Sequence, residues 1–406
     1  MLKRIACIIG WVLLVGTCAW GAESKQPSKG LLFFYRSGQW VDNFLLHKMD
    51  TDYIGLPEHS WRIAFTCGML GINSALHSTS TVEGLSDPLT LSLYNRTTPS
   101  VDLGFNADYR GFGFGYSWDA LRAYDQRLSF SFGSKSAGID FAYQTSTNIN
   151  TRLAVNNTLV PSITSNNAVT ITNANLNVWY ALNASHYSHH AAVKQTYIQR
   201  KTAGSLLLHL SYMSSRIGFS DTVIVAEAGR PTFSALMSDV TKMTTRQVAV
   251  GIGYGINYTP NHGKVLLHAS AAAMLVCYSV NHISYYLPDS IRTGLPGEPM
   301  YMLKSAQPVH VTGNVRAAVS WEINRWAHLA LWATGDNIRF YSEKTSNQNE
   351  LFLSNWNWKV QLILGVRLGA CRDRVQRALG HPQITPSHPN HDRFPRWLTD
   401  FFWSPK

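Results

Sequence analysis

Residues 248–258 read Val-Ala-Val-Gly-Ile-Gly-Tyr-Gly-Ile-Asn-Tyr, with a large apolar side chain on every even position. The odd positions hold Ala249, Gly251, Gly253, Gly255 and Asn257. In an extended chain successive side chains point to opposite faces, so this stretch has one greasy face and one small or polar face. Its glycines are not a dinucleotide loop: a G-x-G-x-x-G turn needs glycine where Ile256 stands, and it must open a helix.

The same alternation recurs along the chain. Val101, Leu103, Phe105, Ala107 and Tyr109 oppose Asp102, Gly104, Asn106 and Asp108, and after Arg110-Gly111 the series Phe112, Phe114, Tyr116, Trp118 opposes Gly113, Gly115 and Ser117. Further copies lie at 128–133, 139–144, 176–183, 309–323 and 358–369. Several exceed ten residues. Strands of soluble sheets average about 5–6 residues, whereas a tilted strand needs about 9–11 to cross hydrocarbon. The alternation turns Asp102, Asp108, Asp140, Arg316, Glu322, Asp336, Lys359 and Arg367 to the inner face. Such charges are costly in a dry sandwich core and at home in a wet lumen. Aromatics near strand ends, among them Tyr109, Phe112, Trp118, Tyr258, Tyr278, Trp321 and Trp356, suit interfacial girdles.

Composition agrees. Charged residues are 15% of the chain, against about 25% in soluble proteins, while hydrophobic residues are an ordinary 45%. Lys3 and Arg4, the apolar stretch 5–15 and the small-x-small triplet Ala19-Trp20-Gly21 read as a secretory signal peptide. No later apolar run reaches the 18 or so residues of a membrane helix; Ala271–Tyr278 is the longest. Of five cysteines, Cys67, Cys277 and Cys371 lie beyond the signal; three cannot all pair, and their spacing matches no metal motif.

These readings predict a transmembrane antiparallel β-barrel of about twelve strands in the outer membrane of a Gram-negative bacterium. The expected divisions are a signal peptide (1–21), a periplasmic lead-in (22–60), the barrel (61–370) and a periplasmic or interfacial tail (371–406). Thirteen segments qualify as strands, yet single-chain bacterial barrels close with an even number. The surplus one is expected among the two earliest, 61–72 and 88–95. Long polar connections at about 146–173, 214–245, 280–308 and 342–354 are expected outside, and short turns inside. The stretch 185–203 is long but falls on the periplasmic side.

Three segments resemble an uncharacterised family of bacterial outer-membrane β-barrels, a domain of unknown function. They are DTDYIGLPEHSW (50–61), LYNRTTPSVDLGFNADYRGFGFGYSW (93–118) and SHHAAVKQTYIQRKTAGSLLLHLSY (188–212). The resemblance spans roughly 30–370. It implies an exported barrel, and it supplies no reaction, ligand or catalytic residue.

Two His-x-Ser pairs, His209 with Ser211 and His268 with Ser270, put both side chains on one strand face. A serine beside a histidine base is the kernel of nucleophilic catalysis, and outer-membrane lipid hydrolases use such a pair. The preferred reading is plainer: polar residues among many in a wet interior, with no third, orienting group placed by the sequence. His186, His189 and His190 are read as solvated histidines of a periplasmic loop rather than metal ligands. No metal or cofactor is expected. The net charge of +11 lies partly in the tail, where six basic residues outnumber three acidic ones. Expected partners are outer-membrane lipid and the barrel-assembly machinery, with envelope or small-solute partners unspecified; nucleic acid is not one. The expected role is a narrow channel or an envelope-interaction protein, more non-enzymatic than enzymatic. The alternatives are a lipid-modifying hydrolase using a His-x-Ser pair and a secreted β-sandwich that binds glycans.

Overall fold

The computed structural model describes residues 50–371 except 58, 81–88, 98–99, 110, 121–124, 135, 148, 157, 167–168, 220–239, 261–263, 287–299, 307–308 and 343–349. The expected signal peptide, most of the lead-in and the tail beyond 371 lie outside the described residues. In chain order the strands are β1 (Ile54–Gly55), β2 (His59–Ser80), β3 (Leu89–Thr97), β4 (Ser100–Tyr109), β5 (Phe112–Asp119) and β6 (Gln126–Gly133). They continue with β7 (Ala137–Ser146), β8 (Ile149–Val155), β9 (Thr158–Asn166), β10 (Val169–Ala181), β11 (Ile198–Gln199) and β12 (Ala203–Phe219). The last six are β13 (Val240–Tyr258), β14 (Val265–Tyr286), β15 (Met300–Ala306), β16 (His310–Glu322), β17 (Ala327–Ser342) and β18 (Glu350–Cys371). One short helix, α1 (His189–Val193), lies between β10 and β11.

Twelve strands close a ring in the order β2, β4, β5, β6, β7, β10, β12, β13, β14, β16, β17, β18. The last returns to the first along an antiparallel ladder from Glu350↔Thr79 to Leu368↔Trp61. A single sheet closed on itself excludes the sandwich alternative. The surplus strand is the 88–95 segment. As β3 it pairs with the far half of β2 (Asn73↔Arg96 to Ser80↔Leu89), while β4 takes the near half (Trp61↔Tyr109 to Leu70↔Ser100). One position in the ring is therefore shared by two strands in succession.

Two of the expected loops hold strands. The stretch 146–173 contains the hairpin β8–β9, which extends the sheet from the edge of β3, and 280–308 contains β15 paired with the end of β14. The first is nearly uncharged and rich in Thr and Asn, and the second carries several prolines and glycines, so both look like loop, but their β-branched and aromatic residues also suit a pleated strand. The short turn between Tyr109 and Phe112 falls where expected. Gly111, with φ +93, closes the β4–β5 turn in a backbone region that glycine enters without strain.

The lipid face is legible in the exposure pattern. Ile252 (65%), Phe65 (62%) and Val309 (65%) stand outside with Leu206, Leu208, Leu210, Val250, Leu331, Leu362 and Leu364. A continuous apolar exterior of this kind is not tolerated by water. From Tyr258 to Val248, β13 climbs ten residues, about 33 Å of strand. At a tilt of about 40° that is a band about 25 Å tall, the height of an outer-membrane hydrocarbon layer. Outward rings mark both edges: Trp61, Phe112, Tyr180, Tyr258 and Trp321 at the turn end, and Trp118, Tyr143, Tyr212, Tyr278 and Trp356 at the other. Opposite Val248 and Ala249 the β14 ladder skips Cys277, a bulge that sets Cys277 and Tyr278 both outward and reverses the alternation beyond them.

Twelve strands about 4.8 Å apart, tilted by about 40°, give a backbone cylinder of about 12 Å radius. Subtracting the wall's own side chains leaves a gap about as wide as one helix, roughly 10–12 Å. On the lipid face, replacing Ile252 by arginine is expected to cost about 2–4 kcal/mol, the penalty for a cation at mid-bilayer depth. Denaturant titration in lipid vesicles reads it; Ile252→Leu, which keeps the volume, should stay within about 1.5 kcal/mol of wild type.

Candidate functional site

The connection from β10 to β12 fills that gap. Residues 182–202 do not make a tight turn but fold into the mouth of the ring. Ser188 caps α1, its Oγ accepting from Ala191 N at 3.3 Å, and all five helical residues are buried. Gln195 takes φ +48 and sends the chain back, and Ile198–Gln199 pair with Ile54–Gly55 as a two-stranded sheet. Arg200 N donates to Tyr53 O at 2.7 Å, so the end of the lead-in is part of this plug.

Small residues in the wall make the room. A methyl group at Gly133 would strike the His190 ring, one at Gly255 the Tyr187 hydroxyl, and one at Gly138 the Trp179 ring. Trp179, turned inward from β10, packs against His189 and His190 with ring centroids at 4.9 and 5.1 Å. The inner glycines of β13 thus answer to the plug and to the neighbouring strand β14, not to a phosphate.

Charged wall residues bolt the far side. Arg62, buried on β2, donates to Asp108 at 2.5 Å, to His328 Nε2 at 3.1 Å and to Gln195 Oε1 at 2.9 Å. Arg367 grips both oxygens of Glu322 at 2.5 and 2.6 Å and reaches Gln195 O at 3.3 Å. Farther along the lumen, Lys359 pairs with Asp102 at 3.7 Å, and Gln361 donates to the same carboxylate at 3.3 Å. Arg316 faces Asp140 at 3.6 Å, and Asp336 accepts from Asn314. All eight charges assigned to the inner face by alternation therefore have an inward partner in the described structure. Arg62, Gln195, Gln199 and Asn257 complete the network and were not singled out beforehand. For Arg62 and Asn257 the signal was present in the sequence, on the inner parity of β2 and β13. For the two glutamines there was none, since the plug has no periodicity.

The two His-x-Ser pairs part company. His209 Nδ1 meets Asn177 Oδ1 at 3.3 Å, and Ser211 donates to Asn175 Oδ1 at 3.4 Å, so that pair is not joined. His268 Nε2 lies 3.1 Å from Ser270 Oγ, and His268 Nδ1 lies 2.8 Å from Asn257 Oδ1. Asn257 Nδ2 donates to Ser188 O at 2.8 Å and to Gln199 Oε1 at 3.1 Å. Gln199 Nε2 in turn donates to the carbonyls of His186, Lys201 and Tyr53, at 2.6, 2.9 and 3.3 Å. Both amides are fixed by these acceptors, so Asn257 Oδ1 can only accept. That places the proton of His268 on Nδ1 and leaves Nε2 free to accept from Ser270. Both side chains face the lumen, away from the acyl chains a lipid hydrolase must reach.

His189 and His190 are not solvated. Each is about 1% exposed, because the segment turns into the barrel instead of hanging in the periplasm; His186 remains partly exposed beside Asp50 at 3.3 Å. His189 meets Tyr187 Oη at 3.1 Å and Arg316 Nη1 at 3.3 Å. Burial, with the neighbouring His268 and Arg316, holds the His189 imidazole well below its ordinary value. Burial likewise pushes His190 down to about 4, only partly offset by Asp140. Among the described residues no group of three histidine, cysteine or acidic side chains is arranged to hold a metal ion.

The model of the domain of unknown function DUF4421 matches residues 48–368. The chain belongs to this family. No curated protein sequence matches this DUF4421 chain. Solved structures similar to it are membrane barrels at low identity. The outer membrane protease OmpT from Escherichia coli is 8% identical with a TM-score of 0.38, the match covering 77% of this chain and 97% of that one. The β domain of the Bordetella autotransporter BrkA is 9% identical with a TM-score of 0.30, covering 76% and 100%. The outer membrane protein OprG from Pseudomonas aeruginosa is 7% identical with a TM-score of 0.27, covering 77% and 99%.

Docking of the plug is expected to depend on pH. The docked state holds His189 and His190 neutral, with proton affinities below those of the free imidazoles. An undocked plug binds protons below about pH 6.5, so docking is fully stable above that value. It weakens by about tenfold per pH unit from His190 alone as pH falls toward 4. Hydrogen exchange at the Ala191 and Lys194 amides should accelerate over that window, beyond the intrinsic rate change. Unchanged protection from pH 7 to pH 4.5 counts against it.

Proposed function

We propose that this DUF4421 barrel resides in the outer membrane of a Gram-negative bacterium and works as a narrow, gated conduit for small polar solutes. At rest it is closed by its own 182–202 segment. One observation carries the reading: the segment that blocks the mouth is held by hydrogen bonds to charged and amide side chains of the wall, through Gln195, Gln199, Asn257, Arg62 and Arg367. Polar contacts of that type exchange with water at limited net cost, about 0.5–1.5 kcal/mol for a neutral pair and about 1.5–3 kcal/mol for each bond from an arginine. An apolar plug would have no such route to leave. Once it leaves, the path it exposes is walled by balanced charges, such as Lys359 with Asp102 and Arg316 with Asp140. Such a wall favours hydrated polar solutes over large apolar ones.

The setting implies the partners expected from the sequence, outer-membrane lipid around the apolar band and the barrel-assembly machinery during insertion. The experiment is planar-bilayer conductance on the purified barrel, with folding confirmed by heat-modifiable migration. Wild type is expected to be closed for most of the recording at pH 7.5 and to open more often at pH 5. A variant with 186–197 replaced by a short Gly-Ser turn is expected to conduct steadily at both. A plug-deleted variant that folds yet passes no current overturns the proposal.

A further inference from the structure

Beyond conduction, the geometry points to a second activity: Ser270, His268 and Asn257 form a nucleophile, base and orienting group inside the lumen, suited to cleaving small hydrophilic carboxylic esters. The three come from adjacent strands, Asn257 from β13 and the other two from β14. The register sets Asn257 beside His268, and the parity of the strand sets Ser270 on the same inner face two residues on. The hydrogen bonds run in the order a serine nucleophile needs. Ser270 Oγ–H points to His268 Nε2 at 3.1 Å, and His268 Nδ1–H points to Asn257 Oδ1 at 2.8 Å. This tautomer is not one of two equal options, because the Asn257 amide is locked by Ser188 O and Gln199 Oε1.

An acyl-transfer site also needs a donor for the developing oxyanion. Arg316 sits directly across the β14–β16 ladder from Ser270. Its Nη1 is engaged with His189, while its Nε has no hydrogen-bond partner among the described residues. Arg316 also lines a small recess with Asn175, Asn177, Ser211, Met274 and Asp336. A wall made mostly of amide, hydroxyl and charged groups suits a small hydrophilic ester and disfavours a lipid chain.

The step balances without a cofactor. Ser270 Oγ attacks the ester carbonyl carbon as its proton passes to His268 Nε2. The bond from that carbon to the alcohol oxygen breaks, and the alcohol leaves with the proton from His268. Water then attacks the acyl-serine, giving its proton to His268, and the carboxylic acid departs as Ser270 is restored. Asn257 is a positioning residue here, acting through His268.

The test uses the purified full-length barrel in detergent, with diisopropyl fluorophosphate and p-nitrophenyl acetate as probes. A phosphoryl adduct on Ser270, located by mass spectrometry, and saturable release of p-nitrophenol are expected. Ser270→Ala should abolish both, and Ser131→Ala, on the inner face of β6, should leave both unchanged. In Asn257→Leu, kcat should fall more than tenfold with little change in KM. Met274→Ala enlarges that recess. If neither wild type nor Met274→Ala gives an adduct on Ser270 or turnover above Ser270→Ala, while both variants remain heat-modifiable, the assignment is wrong. Loss of activity in a barrel that still conducts leaves the gating proposal untouched, and the reverse holds too.

Discussion

Hydrocarbon offers no hydrogen bonds, so a chain that crosses it must satisfy every backbone N–H and C=O internally. Twelve strands closed from β18 back to β2 do so without leaving an edge. The rest of the molecule follows from that closure. A closed ring of this size has a lumen, the alternation that greases the outside makes the lumen polar, and a polar gap about one helix wide is available to be filled. The 182–202 segment fills it, and the wall is shaped to receive it. Glycine stands where a ring of the plug or of Trp179 presses, as at Gly133, Gly138 and Gly255.

The charges inside are arranged in pairs, and the pairing matters more than the number. Desolvating an isolated guanidinium or carboxylate costs several kcal/mol, which Arg62–Asp108 and Arg367–Glu322 recover through short, well-directed bonds. Both pairs also spend a donor on Gln195. The plug is thereby tied to the barrel's own electrostatic balance. The three stretches that carry the family resemblance meet in this region: Tyr53 and Arg200 join the lead-in to the plug, Asp108 holds Arg62, and 188–200 is the plug itself.

What could be read from the sequence divides along physical lines. Period-two alternation in β4, β5, β13, β16 and β18 exposes the two faces of each strand directly, so the barrel, its outward aromatics and its inward charges are all visible there. Strand count was legible only to within one, because β3 has the composition of a ring strand, and pairing with the far half of β2 is a tertiary choice. The hairpin β8–β9 was hidden by a nearly uncharged Thr-Asn composition shared by strands and loops. The plug was invisible in kind. His189 and His190 carry no periodic signal, and only the closure of the ring decides that they are enclosed instead of solvated. Likewise the pattern His-x-Ser was equally present at 209–211 and 268–270, and the difference lies in which asparagine the neighbouring strand brings alongside.

That asparagine also joins the two proposals. Asn257 holds His268 with its oxygen and the plug with its nitrogen, so one amide group serves both. Rotation of the amide would exchange donor for acceptor and set like against like on both sides at once. The docked plug therefore keeps His268 in the tautomer that can take a proton from Ser270, and the ordered imidazole in turn favours the amide orientation that the plug requires. Two states separate on this bond. In one the mouth is shut and the serine is poised. In the other the plug has left, the amide is free to turn, and the histidine loses its orientation. Contacts that bias one state over the other act on both properties together, because the coupling passes through a single fixed group rather than through a chain of small displacements.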